Sequence, residues 1–381
     1  MSEVVIVGGG LAGAAAGALL ARAGIRPVVL ERESQPKDKI CGEFLSVEAQ
    51  AHLAAAGLDL EPLGGARIGG VRLAAGRRLV ESPLPFPALG LTRRRLDEAL
   101  LAHAAGEGAS VERGVMVHSL GQGRLETSRG PVSAPTILLA SGKHEVRGAK
   151  RAAEGTLKGM VGFKSYFRLS GAQRAALGGF VEVILFQGGY AGLQLVEGGV
   201  ANLCLLARRS RFDAAGRTWP GLLRAVLDEP HLARRLADAE ELSPRPLTIS
   251  DVPYGFLHAA PDPPGLYRLG DQAAVIPSFS GDGMSIALHS ARLAAQAVLG
   301  GAHARDYHAR LRRDIAGPLR LATWLQRRAE GWPGRHAALA GLKVFPGTIA
   351  RLAAWTRVPT PALTRAGLQT RRDHRSHHNE N

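Results

Sequence analysis

The sequence predicts an α/β fold with an inserted antiparallel sheet and a helical C-terminal region, and three stretches carry that expectation. The first runs from Val4-Val5-Ile6-Val7 through Gly8-Gly9-Gly10-Leu11-Ala12-Gly13 and an alanine-rich segment to Pro27-Val28-Val29-Leu30-Glu31. Its apolar β-branched run reads as a buried parallel strand. Residues 14–23 lack proline and β-branched side chains and read as helix, with Gly24 where a helix commonly ends. The second is a change of character over residues 161–206, where strands 163–169, 180–186, 190–196 and 200–206 are punctuated by Gly188-Gly189 and Glu197-Gly198-Gly199 at hairpin positions. The third is the polar, arginine-rich, helical stretch beyond Ala302.

The remaining elements follow in order. A polar loop, 33–39, leads to Ile40-Cys41-Gly42-Glu43 and a helix over 47–56. A short, broken β-like stretch spans 68–85, and a helix over 91–100 has Thr92 at its N-cap. Residues 111–117 and 125–128 are expected to pair as strands. An apolar strand over 136–140 ends in Ser141-Gly142, residues 219–242 read as helical, and the strand 265–269 delivers Gly270-Asp271 to a helix over 285–299. Helix breaks are expected at Pro318, Pro333, Pro346 and Pro359, and residues after Thr370 read as disordered.

The turn Gly8-x-Gly10-x-x-Gly13 between strand and helix is the pattern of a Rossmann-type dinucleotide site. The first glycine permits the turn, the second lets a diphosphate approach the backbone, and the third lets helix pack on strand. The diphosphate rests on the helix N-terminus, where unpaired N–H groups and the helix dipole favour an anion. Glu31 ends the second strand, where a carboxylate accepts ribose hydroxyls and repels a 2′-phosphate. The nucleotide is therefore expected to be FAD or NAD, not NADP.

Size and charge narrow the classes. At 381 residues the chain can bury a large core, and no apolar run is long enough to span a bilayer. The N-terminal apolar run lacks the basic start of a signal peptide, so a cytoplasmic protein is expected. Two cysteines, Cys41 and Cys204, form no disulfide or metal pattern. The net charge is +15, and residues 301–381 carry 15 Lys and Arg against 5 Asp and Glu. These arginines are not interleaved with aromatics, which argues against nucleic acid. A solvated helix surface is the ordinary reading. Peripheral contact with an anionic membrane or a carrier protein is the alternative.

A second constellation is Gly270-Asp271 after an apolar strand, followed by Pro277-Ser278-Phe279-Ser280-Gly281-Asp282-Gly283-Met284 at a helix start. A carboxylate at a strand end suits a sugar-like hydroxyl, and free N–H groups at a helix start suit a carbonyl or anionic ring. For FAD this assigns Asp271 to the ribityl chain and the Gly281–Met284 backbone to the pyrimidine end of the flavin.

Together these residues resemble the FAD-dependent superfamily of aromatic-ring hydroxylases, flavin-dependent halogenases and geranylgeranyl reductases, over roughly residues 3–300. The resemblance rests on Gly8, Gly10 and Gly13 with Glu31-Arg32, on Arg93-x-x-Leu96-Asp97-x-x-Leu100, on Ser141-Gly142, and on Gly270-Asp271 with Gly281-Asp282-Gly283. Lys39-x-Cys41-Gly42-Glu43 looks most like the geranylgeranyl-reductase branch, whose matching loop lies beside the flavin. The resemblance implies FAD contacts for Gly8, Gly10, Leu11, Ala12, Gly13, Glu31, Arg32, Cys41, Gly42 and Arg93. It implies the same for Gly270, Asp271, Gly281, Gly283 and Met284. It also implies an FAD-binding domain from 1–70, 92–158 and 259–300, a substrate domain from 71–91 and 159–258, a basic helical region at 301–370 and a tail at 371–381. NADPH or NADH is the implied transient reductant.

Ring hydroxylases carry Asp-Gly where this chain has Ser141-Gly142, and tryptophan-type halogenases carry a Trp-x-Trp-x-Ile-Pro motif that is absent here. The expected function is an FAD-dependent oxidoreductase. A monooxygenase hydroxylating an apolar or aromatic small molecule with reduced flavin and O₂ comes first, and a reductase of isoprenoid double bonds is the alternative. Cys41 and Tyr190 are the candidate catalytic residues, each also readable as packing. Glu43 is expected to pair with Arg93 or Lys39, Cys204 to sit in the core, and His289 to be a satisfied helix histidine. No metal site is expected.

Overall fold

The computed structural model describes residues 3–121, 123–152, 156–330 and 347–368. Five parallel strands form the first sheet, in the order Leu266–Arg268, Thr136–Leu139, Val4–Val7, Val28–Glu31 and Ser110–Arg113. Every residue of Val4–Val7 is buried, as a parallel strand covered on both faces requires. One face carries the helices Leu11–Arg22, Arg93–Gly106 and Gly283–Leu299, whose alanines and leucines form the largest core. The other face is covered by a three-stranded meander, Val117–Gly121, Arg124–Thr127 and Gly130–Ser133, through Leu120 and Leu125.

The expected pairing of 111–117 with 125–128 is corrected here. Residues 110–113 join the parallel sheet beside Val28–Glu31, and a separate strand, Val117–Gly121, pairs with Arg124–Thr127. Gly114, at φ +69°, lets the chain change sheets between them.

The second sheet has nine strands. Along its main path the order is Glu240–Glu241, Met160–Arg168, Ala201–Arg208, Gly189–Leu195, Gly179–Phe186, Ala66–Ala75, Arg78–Gly90 and Phe44–Leu45, and Leu247–Ser250 also pairs with Met160–Arg168. All pairs are antiparallel except Gly179–Phe186 with Ala66–Ala75. The stretch read as short and broken is thus two long strands, Ala66–Ala75 and Arg78–Gly90. Their prolines and glycines sit at irregular positions that a bulge near Ile68 accommodates. Residues alternate between faces: Ile184, Leu203 and Leu205 pack under the short helices Trp219–Val226 and Pro230–Arg235, while Val183, Leu185, Cys204 and Leu206 line a cavity.

Residues 219–242 are not one helix. Two short helices are divided where Asp228-Glu229-Pro230 restarts the chain with proline in the first turn, and Glu240–Glu241 joins the sheet. Pro318 also fails to end its helix. Ala304–Glu330 runs through it, because the buried stripe Leu311, Ile315, Leu319 and Ala322 holds the helix across the missing hydrogen bond. Pro359 does separate the helices Gly347–Trp355 and Thr360–Arg365. Pro333, Pro346 and the residues after Thr370 lie outside the described residues.

Candidate active site

A cavity of about 1340 Å³ lies between the two sheets. That exceeds the roughly 300–1,000 Å³ of ordinary small-molecule pockets. Its walls include Gly8, Gly10, Leu11, Ala12, Glu31, Arg32, Cys41, Gly42 and Arg93, together with Tyr190, Gly270, Asp271, Gly281, Gly283 and Met284. Every residue named as a cofactor contact or catalytic candidate therefore reaches one space, except Gly13, which lies behind it. A Cβ on Gly13 would stand 1.9 Å from the Gly8 carbonyl oxygen, so this glycine sets how closely helix meets strand.

At the glycine turn the helix Leu11–Arg22 has no side-chain cap at Gly10, which leaves its N-terminus to an anion. Glu31 Oε2 accepts the Gly9 N–H at 2.6 Å and Oε1 accepts the Glu33 N–H at 2.9 Å, which fixes the carboxylate over the turn. Two cations lean over the same turn: Lys39 Nζ and Arg93 Nη2 lie 3.3 and 3.6 Å from the point where a Gly10 Cβ would be. Asp97 holds both, at 2.7 Å from Lys39 Nζ and 2.7 Å from Arg93 Nε. Burial works against charge on Arg93 and on Asp97, but each outweighs it in the other, so both stay ionised. The result is a pre-aimed cationic pair for a diphosphate. Lys39 could share this role with Arg93, although the motif reading had placed it only in the neighbouring loop.

The loop 39–43 is fastened from below. Glu43, at φ +59°, is fully buried, and its Oε1 accepts the Arg93 backbone N–H at 2.8 Å and the Tyr166 hydroxyl at 2.9 Å. The same oxygen forms an ion pair with Lys164 Nζ, which also donates to the Lys39 carbonyl at 3.0 Å. The expected pairing of Glu43 with Arg93 or Lys39 is corrected: those side chains go to Asp97, and the partner is a wholly buried lysine on the strand Met160–Arg168. Burial raises the Glu43 carboxyl above its usual range, against the pull of Lys164. Gln194 and Asn202 donate to the Glu43, Cys41 and Gly42 carbonyls, so the whole loop backbone is pinned to the second sheet. Cys41, half-buried, faces the cavity and hydrogen-bonds Arg93. Cys204, read as core, also lines the cavity, with burial pushing its thiol up to about 12.

On the opposite wall the loop after Ser141-Gly142 is tied to the second constellation. Gln272 Nε2 donates to the Gly142 and His144 carbonyls, and Arg151 bridges the Lys143 and Asp271 carbonyls. Lys143 Nζ donates to the Ile40 carbonyl at 2.8 Å; burial opposes its charge, but nearby Asp271 raises its pKa. Sequence reasoning missed Lys143 and Arg151, whose only signal was their place after a strand-end glycine. Tyr190 hydrogen-bonds Ser278 and packs edge-on against Phe279, while Tyr254 shares Ser278. Burial, then Tyr254, keeps the Tyr190 phenol protonated.

Behind this loop, Asp282 is fully buried at the start of helix Gly283–Leu299. It accepts the Val358 N–H at 3.0 Å and faces Arg357, which also pairs with Glu48 and stacks on Phe86. This clasp anchors helix Gly347–Trp355, which packs through Ile349 on Ala75 and Val80. His289 hydrogen-bonds Asp314 within the core.

Among the described residues, His258, Asp262 and His308 bring possible metal-ligand atoms together. However, His308 Nε2 accepts the Arg268 backbone N–H at 3.1 Å, which places its proton on Nδ1, toward Asp262. Arg268 Nε also holds both Asp262 oxygens, at 3.0 and 3.1 Å. Burial depresses His308 to about 4, so it stays neutral. The group is arranged as an ion-pair network.

Residues 1–129 match the family described as an FAD binding domain. A menaquinone reductase of Mycolicibacterium smegmatis is 27% identical over 319 residues, 79% of this chain and 77% of that protein. A menaquinone reductase of Mycobacterium tuberculosis is 28% identical over 317 residues, 77% of this chain and 76% of that protein. Among solved structures, flavin-dependent brominase Bmp2 aligns with a TM-score of 0.73 at 18% identity, covering 96% of this chain and 98% of its own.

Proposed function

We propose that this chain, an FAD-dependent oxidoreductase of the monooxygenase-type flavoprotein superfamily, reduces a carbon–carbon double bond in the isoprenoid portion of a quinone-class lipid. The observation that carries this reading is the size and the lining of the cavity. From the cationic turn it continues as an apolar arm along the second sheet, past Val71, Leu73, Val183 and Leu185, to Leu325 and Leu352 of the C-terminal helices. So extensive an apolar lining, shared by the second sheet and the C-terminal helices, suits a long flexible chain better than a small polar molecule. Similarity to menaquinone reductases over most of both chains adds a quinone, and the Lys39-x-Cys41-Gly42-Glu43 loop adds the isoprenoid.

Saturating a double bond adds a hydride to one carbon and a proton to the other; FAD, when bound and reduced, supplies the hydride. NADPH or NADH is the proposed source of the electrons. Lys39 and Arg93 would hold the diphosphate, Glu31 the ribose, and Asp271 the ribityl chain. The proton falls to this chain. Cys41 Sγ and the protonated Tyr190 hydroxyl are two of the protic groups that line the cavity, and Ser278 can return a proton to Tyr190. The apolar walls exclude water and keep the chain extended.

Hydroxylation remains a second reading because Tyr190, Tyr254 and Ser278 form a polar cluster that could orient a phenolic or quinone oxygen. One experiment separates the two. The purified flavoprotein is titrated anaerobically with NADPH and then NADH, and a short-chain isoprenoid quinone is added. The expected result is flavin reoxidation without O₂ and, after the headgroup is reoxidised in air, a product heavier by two hydrogens. A product heavier by one oxygen, formed only with O₂, would establish the second reading. Unchanged quinone would overturn the proposal.

A further inference from the structure

We propose that the cavity mouth is a docking surface for an anionic lipid bilayer, formed by the end of helix Ala304–Glu330 and by helix Gly347–Trp355. The proposal rests on the reading that the cavity takes a lipid-soluble substrate. Trp324 is 54% exposed and also lines the cavity, so one side chain touches both the surface and the cavity. Trp355, 62% exposed, stands at the end of the second helix, whose Leu352 lines the same cavity.

Spacing makes these tryptophans part of two stripes. On the long helix Arg320, Trp324 and Arg328 recur at four-residue intervals, and on the shorter one Arg351 and Trp355 do the same. All five are exposed. The Arg328 guanidinium lies 5.5 Å from the Trp324 ring centre. No Asp or Glu occurs over residues 315–329 or 347–368, and Glu330 ends the long helix, so these two segments present far more cations than acids beside their indoles. Leu79, 41% exposed at the tip of the strand pair that Ile349 packs on, extends it.

Indole rings settle at the level of lipid headgroups, and arginines draw anionic headgroups toward the protein. No described helix is long and apolar enough to cross a membrane, so these stripes suit helices lying on its surface. The apolar path from the surface past Leu325 and Leu352 then lets a lipid chain enter the arm without crossing water. An acidic protein would satisfy the arginines, but it would not account for two exposed tryptophans flanking an apolar opening.

The test uses the FAD-loaded full chain and vesicle flotation with no substrate present. Vesicles containing phosphatidylglycerol should recruit the protein about tenfold more than pure phosphatidylcholine, and salt should weaken the binding. The double variant Trp324→Ala/Trp355→Ala should lose about tenfold in recruitment with unchanged FAD content and melting temperature. Arg320→Glu/Arg351→Glu should lose recruitment while still reducing substrate dispersed in detergent. Flotation equal in parent and variants, or no flotation at all, overturns the surface. Retention on an acidic carrier protein with none on vesicles does so too. Detergent-phase reduction reports the proposed function and flotation reports the surface, so the failure of either is recognised separately.

Discussion

At one end of the cavity, ten residues of continuous sequence make the nucleotide cradle: strand Val4–Val7 and the turn to Gly13, with conformation set by the backbone. At the other end the apolar arm and its mouth are assembled from strands and helices far apart in the chain. They are held by side chains that meet only in the fold, such as Arg357 with Glu48 and Asp282. Between them lies the loop 39–43, whose sequence is local but whose support, Lys164, comes from 121 residues away. The comparison separates two ways of building a site. Where backbone geometry decides, a substitution is all-or-none; where side-chain partners decide, the loss is graded and can be restored by changing both partners.

Gly13→Val gives the largest effect expected. Its side chain would start 1.9 Å from the Gly8 carbonyl oxygen, so helix and strand cannot both keep their places. The purified variant should carry no flavin absorbance; a fully yellow protein would break the backbone side of the comparison.

Lys164→Met comes next. It leaves Glu43 buried beside Tyr166 and the Arg93 N–H with no cation, and should cost about 3–5 kcal/mol in denaturant unfolding. Because burial already raises the Glu43 carboxyl in the folded state, the folded variant should bind a proton more tightly than the unfolded chain. Its stability should therefore fall as pH rises above the ordinary carboxylate range. Adding Glu43→Gln should restore most of the loss and flatten that slope. A double variant as unstable as the single one would show that the pair is not the support.

Asp282→Asn should be mildest. Burial, together with the charge of Glu48, raises Asp282 from 3.8 to about 7 despite Arg357. A folded-state pKa above the unfolded value means that the stability contributed by the protonated group is lost as pH rises between those values. The parent clasp should then loosen across that window, and the asparagine variant should not. Hydrogen exchange over residues 347–368 at several pH values reads this directly.

The glycine turn, Glu31 and the Gly270-Asp271 strand end were legible because each pairs a local backbone requirement with a residue type that meets it. The strands over 180–206 were legible from their apolar runs and hairpin glycines, but not the face that each residue takes. What escaped was set by distance. Lys164 sits in Met160–Arg168, a strand that reads as apolar, and nothing local announces that its ammonium answers Glu43. Lys143 and Arg151 gain meaning only when the loop they occupy is folded against Asp271. Cys204 looked like core because its neighbours are core, and a one-residue alternation sends it to the cavity instead. Pro318 misled because a local breaker was outweighed by a long-range stripe of buried contacts.

The pairing of Thr136–Leu139 with both Val4–Val7 and Leu266–Arg268 carries a consequence for the order of assembly. On one side Val4–Val7 has Val28–Glu31 close in sequence, but its other neighbour, Thr136–Leu139, follows more than a hundred residues later. The strand that carries Gly270 and Asp271 into place comes later still. Contacts so distant in sequence close slowly. The strand Leu266–Arg268 therefore completes a sheet whose other four strands lie within residues 4–139. Flavin capture is then a late event, and the cofactor acts as the seal on an already collapsed chain rather than as its nucleus.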